Sequence, residues 1–239
     1  MNALLFALVA ALGNVAGGYA VVRHQQRVLA VIDIFLAFGA GFMLSVAVLE
    51  VAPEAILRGA DAPLYILLGY FAVHLAQHVL VPHFHFGEET HAVSPRQGLT
   101  ILLGLLLHTF FDGVAIASGF LVSPQLGLLL FLAVFLHKLP EGLTMASVIL
   151  AGGRGGARAL GAATLLGVAT IFGVLLTEVS TTLVVHGLAI SAGVTLYVAA
   201  SNLVPHFQSR RGWRMPVAFF GGAGVFFLTR LLVEGMVAS

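Results

Sequence analysis

Apolar runs, each about as long as a helix that crosses a lipid bilayer, fill almost the whole chain and are separated by short polar or Gly/Pro breaks. They run near Asn2 to Val22, Leu29 to Val51, Leu64 to Val81, Gly98 to Val122, Leu126 to Leu150, Ala157 to Val179, Leu183 to Val204 and Met215 to Val237. A spanning helix needs ~20 mainly apolar residues, so 239 residues hold about eight spans and little else. The sequence therefore predicts an all-α polytopic membrane protein in which residues 1–239 form a single transmembrane domain.

The composition excludes several other classes of protein. The chain is 59% hydrophobic and 9% charged, and its mean hydropathy is +1.05, far above that of soluble domains. Its net charge is +1 and no basic patch is interleaved with aromatic residues, so we expect no nucleic-acid partner. The chain has no cysteine, so any metal must be bound by nitrogen and oxygen atoms.

Basic residues are distributed unevenly between alternate connections. One set of connections holds Arg23, Arg27, Arg96, Arg154, Arg158, Arg210, Arg211 and Arg214, whereas the other holds only Arg58. The positive-inside rule therefore predicts that both termini lie outside and that the histidine-containing loop, about residues 82–97, is cytoplasmic. We expect an integral protein of the plasma membrane.

Spans two and seven resemble each other around a shared proline. Gly41, Leu44, Val46, Ala47 and Pro53 recur at a constant spacing as Gly193, Leu196, Val198, Ala199 and Pro205. Two spans that lie five helices apart run in opposite directions, so the pattern predicts an inverted repeat, a common architecture of secondary transporters. Small apolar residues also coincide by chance in membrane helices, so most of the weight rests on the proline and the polar residues beside it.

Two histidine–carboxylate pairs lie near the middle of consecutive spans. His108 precedes Asp112 in span four, and His137 precedes Glu141 in span five. Residues four apart share one helical face, and an uncompensated carboxylate at this depth costs at least ~2.5 to 3.5 kcal/mol. One such pair could equally be a hydrogen-bonded pair or a proton relay. Two facing pairs supply two imidazoles and two carboxylates, which favours a tetrahedral divalent ion such as Zn²⁺.

The same segments resemble the ZIP (Zrt/Irt-like protein) family of divalent-metal transporters. HTFFDGVAIASG, from His108 to Gly119, resembles the family's fourth-helix pattern HNxxDGxAIG, and HKLPEG, from His137 to Gly142, resembles its fifth-helix pattern HExPEG. LEVAPEA in span two and LYVAASNLVPH in span seven resemble the family's helix endings. The resemblance implies eight helices in a 3+2+3 arrangement, with the transport site on helices four and five.

Three departures from the family pattern affect the number of ions bound. Members with two metals usually have Asn, an acidic residue and Glu at the positions that here hold Thr109, Lys138 and, by our alignment, Thr170. The Lys138 ammonium would stand close to the site and repel a second cation, so we predict a single-metal site. Lys138 could also be a structural partner of Asp112 or Glu141, which would discourage a second ion as well.

Other polar residues are candidates for the two ends of an ion path. Glu50 and Glu54 could attract cations to an entrance or could form a solvated helix end. Asn202, His206, His74, His78, His83 and His85 are the candidates for the exit. The loop histidines could relay or sense metal, but a solvated polar loop has a similar composition.

These observations and the resemblance together predict a transporter of Zn²⁺, or of Fe²⁺, Mn²⁺ or Cd²⁺, that moves the ion towards the cytoplasm and is not an enzyme. The expected partners are the divalent ion, the lipid bilayer and, as a homodimer, a second copy of the chain. An intramembrane zinc-dependent hydrolase is the alternative, although the chain has no HExxH motif and only Glu178 is a candidate general base. A metal-free proton pathway through the same residues is a third hypothesis.

Overall fold

The computed structural model describes residues 2–79, 95–205 and 212–237, and the secondary structure in these ranges is helical. The helices are α1 (Ala3–Val46), α2 (Ala52–Arg58), α3 (Ala62–Val79), α4 (Pro95–Val122), α5 (Pro124–Ala151), α6 (Gly156–Val179), α7 (Thr181–Leu196) and α8 (Arg214–Val237). Seven apolar segments of the described chain are long enough to span a membrane, and α3 adds a shorter one, Ala62–Ala76. The predicted all-α polytopic fold is confirmed, while the single-domain boundary at residues 1–239 stays a prediction.

Spans one and two join more tightly than the sequence suggested. We expected a connection between Val22 and Leu29, but helical residues continue through this region and the helix breaks at His24, where φ is −141° and ψ is 41°. The two parts of α1 are candidate spans of their own, Ala3–His24 and Asp33–Arg58, the latter including α2. One non-helical residue replaces the predicted loop.

Serine side chains cap the N-termini of two helices on one side of the bundle. The Ser123 side chain accepts a hydrogen bond from the Leu126 N–H at 3.1 Å, with Pro124 in the first turn of α5. Ser180 caps α7 in the same way. Because successive spans alternate in direction, the ends at Asp61, Ser123 and Ser180 lie on one side, here called the Ser123 side. The ends at His24 and Gly153 lie on the other, here called the Gly153 side.

The repeated proline is accompanied by a repeated change in helix geometry. A π-helical segment, Ala47–Val51, precedes Pro53, and another, Tyr197–Leu203, precedes Pro205. Proline has no N–H and its ring crowds the carbonyl one turn earlier, so a wider turn relieves both problems. The shared sequence pattern of spans two and seven thus has a shared structural effect.

Matched glycine contacts support the inverted repeat. In span two, a Cβ on Gly41 would collide with the Phe219 carbonyl oxygen of α8, and one on Gly222 of α8 would collide with that of Phe38. In span seven, a Cβ on Gly193 would meet the Ile66 carbonyl oxygen of α3 in the same way, and one on Gly69 would meet that of Ile190. Span two therefore crosses α8 as span seven crosses α3, backbone against backbone.

Similar close contacts hold α5 against the first half of α1. A Cβ on Gly17 would collide with the Leu139 carbonyl oxygen, and one on Gly142 would collide with that of Asn14. Small residues spaced four apart allow membrane helices to approach this closely, and Gly13 and Gly17 have that spacing. At this crossing, span one packs against the part of α5 that carries Lys138 and Glu141.

Adjacent glycines in α8 provide a matched test of this packing. Gly222→Ala should lower the thermal stability of the purified protein, because overpacking costs about 1–3 kcal/mol and the obstacle here is backbone. A Cβ on Gly221 would meet no atom of another described helix within 4 Å, so Gly221→Ala should be neutral or slightly stabilising. Melting temperatures in detergent compare the two variants, and equal values would contradict the crossing.

Candidate metal centre

The structure brings together the four residues of the two histidine–carboxylate pairs. His108 and Asp112 come from α4, and His137 and Glu141 come from α5. One ligand atom from each residue lies within 4.8 Å of every other, and all four side chains are buried. Each pair lies on one helical face, and the packing of α4 against α5 turns the two faces towards each other.

Two distances within the cluster are already close to those that a tetrahedral ion requires. Asp112 Oδ2 lies 3.3 Å from His108 Nε2 and 3.2 Å from His137 Nε2. Ligand bonds of ~2.0 to 2.2 Å in a tetrahedron separate neighbouring ligand atoms by ~3.4 Å. Because no pair of ligand atoms is more than 4.8 Å apart, small side-chain movements would complete the set.

The hydrogen bonding of His137 leaves one of its nitrogens directed at the cluster. His137 Nδ1 lies 2.9 Å from the Ala133 carbonyl oxygen, one turn earlier in α5, and can donate only as N–H. In the neutral ring, Nε2 then carries a lone pair that faces the carboxylate of Asp112. Two acceptors at this distance need a cation or a second ring proton between them, and a backbone carbonyl is a usual orienting partner of metal-binding histidines.

Lys138 places one positive charge between the two carboxylates of the cluster. Its Nζ donates to Asp112 Oδ2 at 2.7 Å and to Glu141 Oε2 at 2.8 Å, and its side chain is fully buried. Lys138 therefore pairs with both of the partners that were considered from the sequence, and it bridges α4 and α5. Removing one partner of a buried ion pair is strongly destabilising, so both carboxylates depend on this shared ammonium.

Thr109 belongs to the cluster, whereas Thr170 lies beside it. Thr109 Oγ1 is 2.5 Å from Glu141 Oε1 and 2.6 Å from the Leu105 carbonyl oxygen. The Thr170 hydroxyl donates a hydrogen bond to the Leu166 carbonyl oxygen of its own helix at 3.4 Å. The backbone carbonyl oxygen of Thr170 packs against Gly113 of α4. Of the two threonines, the structure gives only Thr109 a contact with the candidate ligands.

Asn14 is a cluster residue that sequence reasoning missed. It is fully buried in the first half of α1, and its Nδ2 donates to Glu141 Oε2 at 3.4 Å. The sequence offers a weak signal, an amide in mid-span flanked by Gly13 and Gly17, but nothing in it connects residue 14 to residue 141. Only the crossing of α1 and α5 creates this contact.

A comparison with protein-family models identifies the family. The model described as ZIP Zinc transporter matches residues 82–230, which include both motifs and extend from the loop before α4 into α8. The chain belongs to the ZIP zinc transporter family. No curated protein matches it significantly.

Membership confirms the resemblance, and together with the apolar helices it confirms a membrane protein; at the level of the family, this ZIP protein is a metal transporter. ZIP proteins are transporters and not enzymes, so the hydrolase hypothesis loses support at the same level.

The candidate entrance residues of the ZIP protein line one cavity on the Ser123 side. This cavity of about 310 Å³ is lined by Glu50, Glu54, Arg58, Val122, Ser123, Gln125, Leu126, Leu129 and Arg230. Glu54 accepts a hydrogen bond from Arg58 at 2.7 Å, and Glu50 Oε1 lies 3.0 Å from Arg230 Nε of α8. The sequence predicted the two carboxylates as a pair but not their arginine partners.

The candidate exit residues are only partly covered by the described structure. The His74 ring packs edge-on against Tyr197, with centroids 5.7 Å apart, and Asn202 lies in the π-helical segment Tyr197–Leu203. Tyr70 and Ser201 share a 2.7 Å hydrogen bond between α3 and the same segment. His83, His85, His206 and the side chain of His78 lie outside the described residues.

Removing the buried ammonium should destabilise the metal-free ZIP protein. Lys138→Met leaves Asp112 and Glu141 without their common partner, which costs about 3–5 kcal/mol, or roughly 6–12 °C in melting temperature for a chain of this size. Lys138→Arg, which keeps the charge, should lose less. Added Zn²⁺ should restore much of the stability of Lys138→Met, and a metal-free melting temperature equal to that of wild type would contradict this account of Lys138.

Proposed function

We propose that this ZIP protein transports one Zn²⁺ ion at a time towards the cytoplasm, and that His108, Asp112, His137 and Glu141 bind the ion on its way. The observation that carries the proposal is the convergence of these four side chains, with the distances from the Asp112 carboxylate to both histidines close to those of a tetrahedral site. Two neutral imidazoles and two carboxylates suit Zn²⁺, and they provide the nitrogen and oxygen ligands that a chain without cysteine must use.

Binding requires the ion to compete with Lys138 for the two carboxylates. In the described structure the ammonium occupies one oxygen of each carboxylate, Asp112 Oδ2 and Glu141 Oε2. An arriving divalent ion takes over part of this interaction, and its departure allows the ammonium to return. The carboxylates thus stay compensated in both states, which favours release as well as binding. Because the ligands bind metal only when deprotonated, acidification should weaken binding.

The same ammonium supports a single-metal site. Two carboxylates and one buried cation give the empty cluster a net charge of about −1, and one divalent ion reverses its sign. A second ion would have to enter a cationic site from which the usual second-site ligands are missing. Lys138 and Thr109 therefore both favour one ion at a time.

The direction of transport rests on the charge distribution along the sequence. The excess of arginine on the Gly153 side predicts that this side is cytoplasmic and that the Ser123 side, with both termini, faces outward. The cavity that contains Glu50 and Glu54 then opens outward, above the metal site. We propose this cavity as the entrance. The proposed exit is the region of His74, His78 and Asn202, together with His206 and the loop that contains His83 and His85.

The donor set favours Zn²⁺ but also accepts Fe²⁺, Mn²⁺ or Cd²⁺, because affinity order alone does not fix selectivity. A plasma-membrane location and a homodimer remain predictions. The rival hydrolase needs a general base near the metal, and its one candidate, Glu178, is the penultimate residue of α6 on the Ser123 side. Metal-dependent uptake into proteoliposomes, measured for each ion, distinguishes a transporter from both the hydrolase and a metal-free proton pathway.

Single alanine substitutions test the ligand assignment. Each of His108→Ala, Asp112→Ala, His137→Ala and Glu141→Ala should reduce Zn²⁺ uptake into proteoliposomes to near background, because each removes one of four convergent ligands. The control is the triple variant His83→Ala, His85→Ala, His91→Ala, which should retain most of the uptake since a solvated loop offers no obligatory passage. Near-normal uptake by any two of the single variants would refute the assignment.

Lys138→Glu tests the role of the ammonium in limiting the site to one ion. At ~5 Å and an effective dielectric of ~20, each unit charge pair contributes on the order of 3 kcal/mol, equivalent to about two decades in affinity before compensation. Lys138→Glu should therefore bind Zn²⁺ more tightly and admit a second ion, and Lys138→Ala should fall between it and wild type. Calorimetry and metal analysis on the purified proteins measure both quantities. Two ions bound by wild type, or unchanged binding by Lys138→Glu, would contradict the single-metal proposal.

A further inference from the structure

A fully buried amide lies against the candidate ligands from a helix that carries neither motif. Asn14 belongs to span one, has no exposed surface, and contacts Glu141 through its Nδ2 at 3.4 Å. Its Oδ1 is also buried and has no hydrogen-bond partner among the described residues. Burying an amide oxygen in this way is unfavourable, so the residue calls for an explanation beyond packing.

The backbone around Asn14 holds its side chain in place relative to Glu141. The Asn14 carbonyl oxygen lies where a Cβ on Gly142 would be, and Gly17 makes a similar contact with Leu139. A Cβ on Gly13 would lie 3.0 Å from the Lys138 Cβ in the same crossing. Span one therefore cannot move along α5 without breaking these contacts, which hold the amide beside the carboxylate.

The donors to Glu141 come from three helices. Lys138 of α5 and Asn14 of α1 both approach Oε2, and Thr109 of α4 approaches Oε1. When an ion takes over part of the ammonium's interaction, the amide still fixes the orientation of the carboxylate. Partners of metal ligands in this position usually contribute roughly 10- to 100-fold in metal affinity.

We propose that Asn14 is a positioning residue of the transport site, which orients Glu141 through its amide and brings a polar group of span one into the surroundings of the ion. The inference rests on the proposed function, since it concerns the same site. It adds a third helix to the site that the two motifs define. It also explains why a polar residue stands between Gly13 and Gly17 at the point where span one crosses α5.

Two substitutions of Asn14 with opposite expected effects test the proposal. Asn14→Ala removes the donor to Glu141 and should raise the Zn²⁺ dissociation constant about tenfold. Asn14→Asp keeps the shape but places a carboxylate beside the ion, and it should lower the dissociation constant about tenfold. The control is Thr177→Val, which removes an equally buried hydroxyl whose described bond stays within α6, at 2.7 Å to Gly173, and should change nothing.

The measurements are Zn²⁺ calorimetry on the full-length proteins in detergent, with the KM and maximal rate of uptake in proteoliposomes. We expect the dissociation constant to rise in Asn14→Ala and to fall in Asn14→Asp. The KM of uptake should shift in the same direction as the dissociation constant in each variant. A purely structural role would instead lower the melting temperature of both variants and leave the dissociation constants within about twofold of wild type, which would overturn the proposal.

If Asn14→Asp does not fold, a double-mutant cycle decides. The effect of Asn14→Ala on affinity should largely disappear in a Glu141→Gln background, because the two residues act through one contact, and additive effects would overturn the proposal. If wild type binds Zn²⁺ normally and the Asn14 variants do not differ from it, the inference fails while the proposed function stands. If wild type binds no Zn²⁺, the proposed function fails and the inference fails with it.

Discussion

The ammonium of Lys138, held between Asp112 and Glu141, is the interaction on which the centre of this protein depends. Two carboxylates buried between membrane-spanning helices need a permanent positive partner, and the ion that they are proposed to bind is present only during transport. Lys138 supplies that partner on α5 and reaches Asp112 on α4, so it also connects the two helices. The resident cation stabilises the empty cluster, and under the proposed function it would compete with the transported ion for the two carboxylates.

Close helix crossings make this charged cluster possible. Glycines bring span one within backbone contact of α5 and α4 within backbone contact of α6, where Gly113 and Gly173 meet the carbonyl oxygens of Thr170 and Phe110. At such distances buried polar side chains are stabilised mainly by contacts with one another. The contacts of Thr109 and Asn14 with Glu141 are of this kind.

The candidate entrance shows the same principle near the surface, with a different balance of charge. Glu50 and Glu54 face Arg230 and Arg58 across one cavity, and all four side chains retain some exposure. Partly exposed pairs of this kind contribute little to stability, because water and salt screen their charges. Under the proposed function, an approaching cation would displace an arginine here at lower cost than it would displace the fully buried ammonium at the central site.

The sequence by itself determined the all-α membrane fold, the approximate helix ends and the residues of the two histidine–carboxylate pairs, because these depend on local composition and on the period of the helix. It also indicated the repeat of spans two and seven through Pro53 and Pro205. The helical continuity through His24, the Arg230 partner of Glu50 and the contacts of Glu141 with Thr109 and Asn14 could not be predicted in this way. Those contacts, including that of Asn14 with a residue far along the chain, depend on where glycine crossings bring separate helices together, and only the tertiary structure decides that.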